Sequence, residues 1–143
     1  MIYKIGYTTG VFDLFHIGHL RIIQKAKENC EYLIVGVSSD DLVKSYKKNK
    51  PIIPLEERIE IVGALKCVDQ IVVQDSFDKI DAWEKYKFDV HFHGNDWENS
   101  KEYNKLQSEF EKRGVANIFF PYTDGTSTSA LKSYIYEVIQ SQK

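Results

Sequence analysis

The sequence predicts an α/β domain built on one doubly wound parallel sheet. Apolar runs of strand length recur at residues 2–9, 32–38, 70–73, 90–93 and 117–121, and segments with a helical period lie between them. Strands that alternate with helices call for parallel pairing, with crossover helices on both faces. A turn carrying glycines and histidines follows the first run, at the sheet edge where such folds bind ligands. Together these features give a Rossmann-like sheet of about five parallel strands.

In chain order, the run 2–9 enters the turn 10–18, and helix 19–29 returns the chain to strand 32–38. Residues 44–54 break the alternation. Lys44, Lys47, Lys48 and Lys50 surround Tyr46, and Pro51 and Pro54 close a stretch too polar for core. Pro54 and Glu57 mark the start of helix 55–65. Strand 70–73, helix 81–86, strand 90–93, helix 102–112 and strand 117–121 continue the pattern. Thr126, Ser127 and Thr128 supply capping hydroxyls for a last helix, 128–139.

The chain has 143 residues, of which 43% are hydrophobic and 28% charged, which suits one ordinary folded domain over 1–143 and excludes a disordered segment. A formal net charge of −2 gives no general attraction to nucleic acid or to an anionic membrane, so any basic site is local. No apolar run approaches the roughly 20 residues that span a bilayer, and the amino terminus lacks a signal-peptide pattern. A cytoplasmic protein is expected. Cys30 and Cys67 lie far apart without CxxC spacing, which argues for buried thiols over a zinc site or a disulfide.

The chemistry concentrates at the first turn. His16 and His19 are three residues apart, so on a helix their rings share a face and can converge on one ligand atom. Unpaired backbone N–H groups at the helix start, with the positive end of the macrodipole, favour an anion at the same place. Gly10 and Gly18 lack a Cβ that would hold a phosphate away from the main chain. An isolated H-x-x-H can equally bind a metal or serve packing. The position after the first strand favours phosphoryl chemistry.

The segment from Gly10 through Val11, Phe12, Asp13, His16 and Gly18 to His19 resembles the G-x-F-D-x-x-H-x-G-H motif of the small cytidylyltransferases in the HxGH nucleotidyltransferase superfamily. The likeness, strongest to glycerol-3-phosphate cytidylyltransferases, continues through Glu57-Arg58, residues 68–72, Gly94-Asn95-Asp96-Trp97 and residues 123–128. It implies transfer of CMP from CTP to a small phosphorylated alcohol, with glycerol 3-phosphate the first guess. A cell-surface polysaccharide or teichoic acid precursor would be the product. The resemblance also implies a homodimer and Mg2+, for which no ligand set is visible and no metal residue is assigned.

Residue by residue, the resemblance assigns His16 and His19 to the reacting phosphates and Lys47 to the triphosphate, with Lys44 and Lys48 as rivals. Thr9, Gly10, Val11, Phe12, Asp13 and Gly18 would line the nucleotide site, and Lys66 stands where relatives usually carry arginine. Gly94, Asn95, Asp96 and Trp97 would help to hold the nucleotide, as would Tyr122, Thr123, Thr126, Ser127 and Thr128. Lys79 and Asp13 fall near the acceptor. Tyr122 replaces the usual arginine with a phenol that carries no positive charge. His91 and His93 alternate onto one face of their strand, which suits packing beside the site or a metal pair. Two other readings remain open: an adenylyltransferase using ATP, and a nucleotide-binding accessory protein with weak turnover.

Overall fold

The computed structural model describes residues 2–94, 101–120 and 127–142. The elements run β1 (Tyr3–Gly10), α1 (Ile17–Glu28), β2 (Cys30–Ser38), α2 (Asp40–Lys44), α3 (Leu55–Gly63), β3 (Gln70–Gln74), α4 (Lys79–Tyr86), β4 (Val90–Gly94), α5 (Lys101–Lys112), β5 (Ala116–Phe120) and α6 (Thr128–Ser141). All five expected strands and all five expected helices are present, with ends displaced by no more than two residues. The additional element is α2. Ser39 caps it by accepting from the Leu42 N–H at 3.1 Å, and Asp40 and Asp41 complement its first turn. Lys44 therefore closes a helix and does not open the lysine-rich loop.

The sheet is wholly parallel in the order β3-β2-β1-β4-β5. Winding reverses at β1, which pairs with β2 on one side and β4 on the other, so a crevice opens beyond the carboxyl ends of β1 and β4. Both sheet faces are covered, as the near-continuous burial of β2 requires. On one face Leu33, Val35 and Val37 of β2 pack with Ile23 and Ala26 of α1 and Val62 of α3. On the other, Tyr7 and Ile34 pack with Phe88 and Phe110, flanked by Trp83 of α4.

Cys30 is buried and Cys67 half-buried, both as free thiols, and burial raises the pKa of each. No described helix is long and apolar enough to cross a membrane. Helix α6 has no buried residue and leaves Tyr134, Ile135, Tyr136 and Ile139 exposed.

Candidate active site

The turn after β1 is shaped by two residues in the left-handed region, Phe12 (φ 57°) and Leu14 (φ 49°). Such backbone costs on the order of 1–2 kcal/mol per residue and needs support from its surroundings. The Phe12 ring supplies part of it by lying over Gly10, where an added Cβ would fall 2.7 Å from the ring. The missing Cβ of Gly10 thus admits this ring, whereas the sequence suggested room for a phosphate. Asp13, between the two, is buried, and its carboxylate accepts the Ile52 and Ile53 N–H groups, both at 2.9 Å, with Lys132 Nζ at 3.3 Å. These donors outweigh desolvation and hold its pKa below the usual carboxylate value. Asp13 therefore anchors the far end of the lysine-rich loop instead of offering free oxygens to a ligand.

His16 is the N-cap of α1, and its Nδ1 accepts the Gly18 N–H at 3.0 Å. His19 at the third helical position answers by accepting the His16 N–H at its own Nδ1, 3.2 Å away. This reciprocal arrangement is a capping box in which imidazoles replace the usual hydroxyl and carboxylate. Both Nδ1 atoms are acceptors, so each neutral ring carries its proton at Nε2. The rings stack with centroids 3.9 Å apart. Burial first, and the neighbouring His16 second, lower the pKa of His19 to about 4; burial also lowers that of His16. Helix capping thereby fixes two neutral N–H donors side by side at the start of a helix.

A cleft of about 390 Å3 opens beside His19, lined by Thr9, Gly10, Val11, Phe12, Asp13, His19, Thr128 and four lysines, Lys47, Lys50, Lys79 and Lys132; His16, stacked on His19, is not among its lining residues. Among the described residues that line it, Asp13 is the only carboxylate and is already paired. The cleft is thus a local cation-rich site on a chain of net negative charge, and it suits a multiply charged anion. Of the loop lysines, Lys47 and Lys50 line it; Lys44, Lys48 and the exposed Lys66 do not. Lys50 was named from sequence only as part of the lysine-rich stretch, without a site role, and Lys132 was not named. Lys132 lies one turn after Thr128 on α6, which placed it on the face of a residue already suspected.

Arg58 organises the cleft from beneath. Its side chain is wholly buried and donates to the carbonyls of Val11, Ser38 and Ile53, each at 2.8 Å, and to the Asp40 carboxylate. The ends of β1 and β2, α2 and the lysine-rich loop are thereby tied to one guanidinium. The sequence offered Arg58 only as part of a motif. Its place on the buried face of α3, four residues before Val62, was the available signal.

Lys79, another lining residue, opens α4 and is buried, with Nζ donating to Thr9 Oγ1 at 2.5 Å and lying 5.9 Å from the Tyr7 ring centroid. Among the described residues it has no acidic partner within ion-pair distance. Burial lowers its pKa to about 7. His91 and His93 line the same cleft.

At the amino end of α6, Ser127 caps by accepting the Ala130 N–H at 3.0 Å, and Thr128 donates its hydroxyl to the Asp13 carbonyl at 2.9 Å. Gly18 is buried within α1 and Gly94 ends β4. Asn95, Asp96, Trp97, Tyr122, Thr123 and Thr126 lie outside the described residues. Among the described residues no three His, Cys, Asp or Glu side chains converge as a metal-ligand set, and the Asp13 oxygens are spent. These residues do not fit a protein-held cation.

Comparison with known proteins agrees with this geometry. Residues 7–142 match the family model described as Cytidylyltransferase-like. The bifunctional protein HldE of Hyphomonas neptunium is 35% identical over 129 residues, covering 90% of this chain. The chain spans about a quarter of the length of that relative, 26%. Glycerol-3-phosphate cytidylyltransferase of Bacillus spizizenii is 33% identical over 126 residues, covering 87% of this chain and 92% of the relative. FAD synthase of Ferroglobus placidus is 41% identical over 107 residues, covering 75% and 68%. The chain belongs to the Cytidylyltransferase-like family.

Proposed function

We propose that the protein transfers CMP from CTP to a small phosphorylated alcohol, glycerol 3-phosphate the first candidate, releasing pyrophosphate and a CDP-alcohol. The observation that carries this reading is the stacked pair of neutral rings, each held at Nδ1 by the start of α1, of which His19 lines a lysine-lined cleft. An acceptor phosphate oxygen attacks the α-phosphorus of the nucleotide in line. One P–O bond forms as the bond to pyrophosphate breaks, and no covalent enzyme intermediate is required. His16 and His19 donate from Nε2 to the oxygens that gain charge, as preorganised donors. Lys47 and Lys50 meet the leaving pyrophosphate. Lys79 receives the acceptor phosphate. Mg2+ would arrive as the counterion of the triphosphate, since the described side chains provide no ligand set.

Purified protein, CTP, Mg2+ and a panel of phosphorylated alcohols should release pyrophosphate with at least one acceptor. Silence across the panel, with CTP still raising Tm, would instead support a nucleotide-binding accessory protein. The similarity to FAD synthase favours ATP as a second donor to test. At 100 times its dissociation constant a nucleotide adds about 2.7 kcal/mol of stability, which thermal shift resolves. The same reading includes a cytoplasmic homodimer, for which the exposed Tyr134, Ile135, Tyr136 and Ile139 of α6 offer an apolar face and sedimentation reads the stoichiometry.

Lys79 makes acceptor binding depend on pH. Its folded pKa of about 7 lies below the ordinary 10.5, so burial disfavours the ammonium and a bound phosphate restores it. Above pH 7 the apo site is increasingly neutral, and binding must take up a proton. The KM for the acceptor is expected to rise by up to about tenfold per pH unit there, while the acceptor phosphate, with a second pKa near 6, stays dianionic. Lys79→Arg keeps its charge and should flatten this rise. Initial rates from pH 6.5 to 9 measure both, and a flat wild-type profile would contradict the assignment.

A further inference from the structure

The four histidines of the chain form two stacked pairs with opposite hydrogen-bonding sense. His16 and His19 accept at Nδ1 and therefore donate at Nε2. His93 is reversed: its Nδ1 lies 3.0 Å from the Gly94 carbonyl, which can only accept, so the proton sits at Nδ1. His91 is reversed through a relay. The Glu111 carboxylate accepts from Gln107 Nε2 at 3.3 Å, which turns Gln107 Oε1 toward the Asn117 amide at 3.1 Å. Asn117 Oδ1 is then left to accept from His91 Nδ1 at 2.9 Å. Both Nε2 atoms of this pair consequently present lone pairs. Both are buried without a hydrogen-bond partner among the described residues.

Buried acceptors left unpaired are costly, and such atoms call for a ligand group or an ordered water. His91 and His93 lie on one face of β4, with ring centroids 5.1 Å apart, and line the cleft together with Thr9 and Lys79. We infer that His91 and His93 are specificity-determining acceptors whose Nε2 atoms take hydrogen bonds from hydroxyl groups of a polyol phosphate, with its phosphate at Lys79. This inference rests on the acceptor reading of the cleft given above. Burial keeps both rings neutral, the His93 pKa falling to about 4 and that of His91 well below its ordinary value. They therefore accept and do not act as cations. A trimethylammonium head offers no N–H or O–H donor to these atoms. A primary ammonium would sit beside the Lys79 charge. A metal ion would face that charge too, with no third ligand among the described residues. Neutral hydroxyls meet neither obstacle.

The test compares glycerol 3-phosphate with n-propyl phosphate, which keeps the three-carbon chain and lacks both hydroxyls, by calorimetry on the full chain. Glycerol 3-phosphate should bind about tenfold or more tightly. In the double variant His91→Phe, His93→Leu the two should bind alike. Equal binding by the wild type would overturn the inference. Long-range nitrogen–proton NMR gives a readout on unmutated protein: Nδ1–H tautomers at 91 and 93, Nε2–H tautomers at 16 and 19. An Nε2–H at 91 or 93 would also overturn it, even should the double variant misfold. Pyrophosphate release is scored separately. Selective polyol binding without turnover of CTP or ATP would sink the transfer reading and leave the assignment of these histidines standing.

Discussion

His16→Asn and His19→Asn should each lower kcat about a hundredfold or more while Tm barely moves. The expectation follows from the two jobs that each ring performs at different atoms. Nδ1 accepts a backbone N–H at the start of α1, which leaves the ring proton on Nε2, free to donate. Asparagine places its Oδ1 where Nδ1 stood: at 16 it is itself a favoured N-cap, and at 19 it keeps an acceptor for the His16 N–H, so the helix start is preserved. It has nothing at the Nε2 position. Losing one preorganised donor of this kind costs about 3 kcal/mol in the transition state. Alanine at the same positions should cost the rate and the cap together, about 1 kcal/mol of stability and a few degrees in Tm. Single-turnover rates and scanning calorimetry separate the two effects. Full activity in both asparagine variants would show that the rings only cap the helix. A pH titration adds a sign: the folded pKa of His19, about 4, lies below the ordinary 6.5, so unfolded chains take up the proton first. Stability should therefore hold above pH 6.5 and be lost progressively toward pH 4.

The layered fold was legible because it depends on period and length, which a single sequence displays. The strands are apolar runs between turns, and α1 and α3 bury one face each on a parallel sheet. Helix α2 escaped because five residues are too few to show a helical period, although Ser39 followed by Asp40 and Asp41 is a capping pattern. The histidines of the first turn were legible as a pair, but their tautomers were not. A tautomer depends on which backbone groups lie nearby in three dimensions, here the N–H groups of His16 and Gly18 for one pair and Gly94 and Asn117 for the other. Asp13 read as a ligand residue for the same reason: the partners that occupy it, Ile52, Ile53 and Lys132, are about 40 or more positions away in sequence. Motif residues thus pointed to the candidate site, while the division between those left open to the cleft and those engaged within the fold depends on long-range contacts.

Arg58→Met should be the most destabilising single change, by about 3–5 kcal/mol. Methionine matches much of the apolar stem and removes the donors, leaving the carbonyls of Val11, Ser38 and Ile53 without the partner they share. Each unsatisfied buried acceptor costs about 1–3 kcal/mol, with partial relief from relaxation or water. The ion pair itself contributes less, because the Asp40 side chain is 35% exposed and can be solvated. Asp40→Asn should accordingly be mild, and the contrast identifies the carbonyls as the main loss. Arg58→Lys should recover little, since one ammonium cannot reproduce the fork that reaches Ile53 through Nε and the other partners through its two terminal nitrogens. Urea denaturation measures the loss, and Tm should fall by roughly 10–20 °C. The functional consequence reaches beyond stability. Ile53 follows Lys47 and Lys50, so releasing its carbonyl loosens one anchor of the segment that presents those charges to the cleft, leaving the Asp13 carboxylate to hold the other. Below the melting range of the variant, the KM for nucleotide should rise about tenfold with a smaller change in kcat, because the histidine donors are set by α1 and not by Arg58. A collapse of kcat at unchanged KM would instead place the guanidinium within the reacting centre.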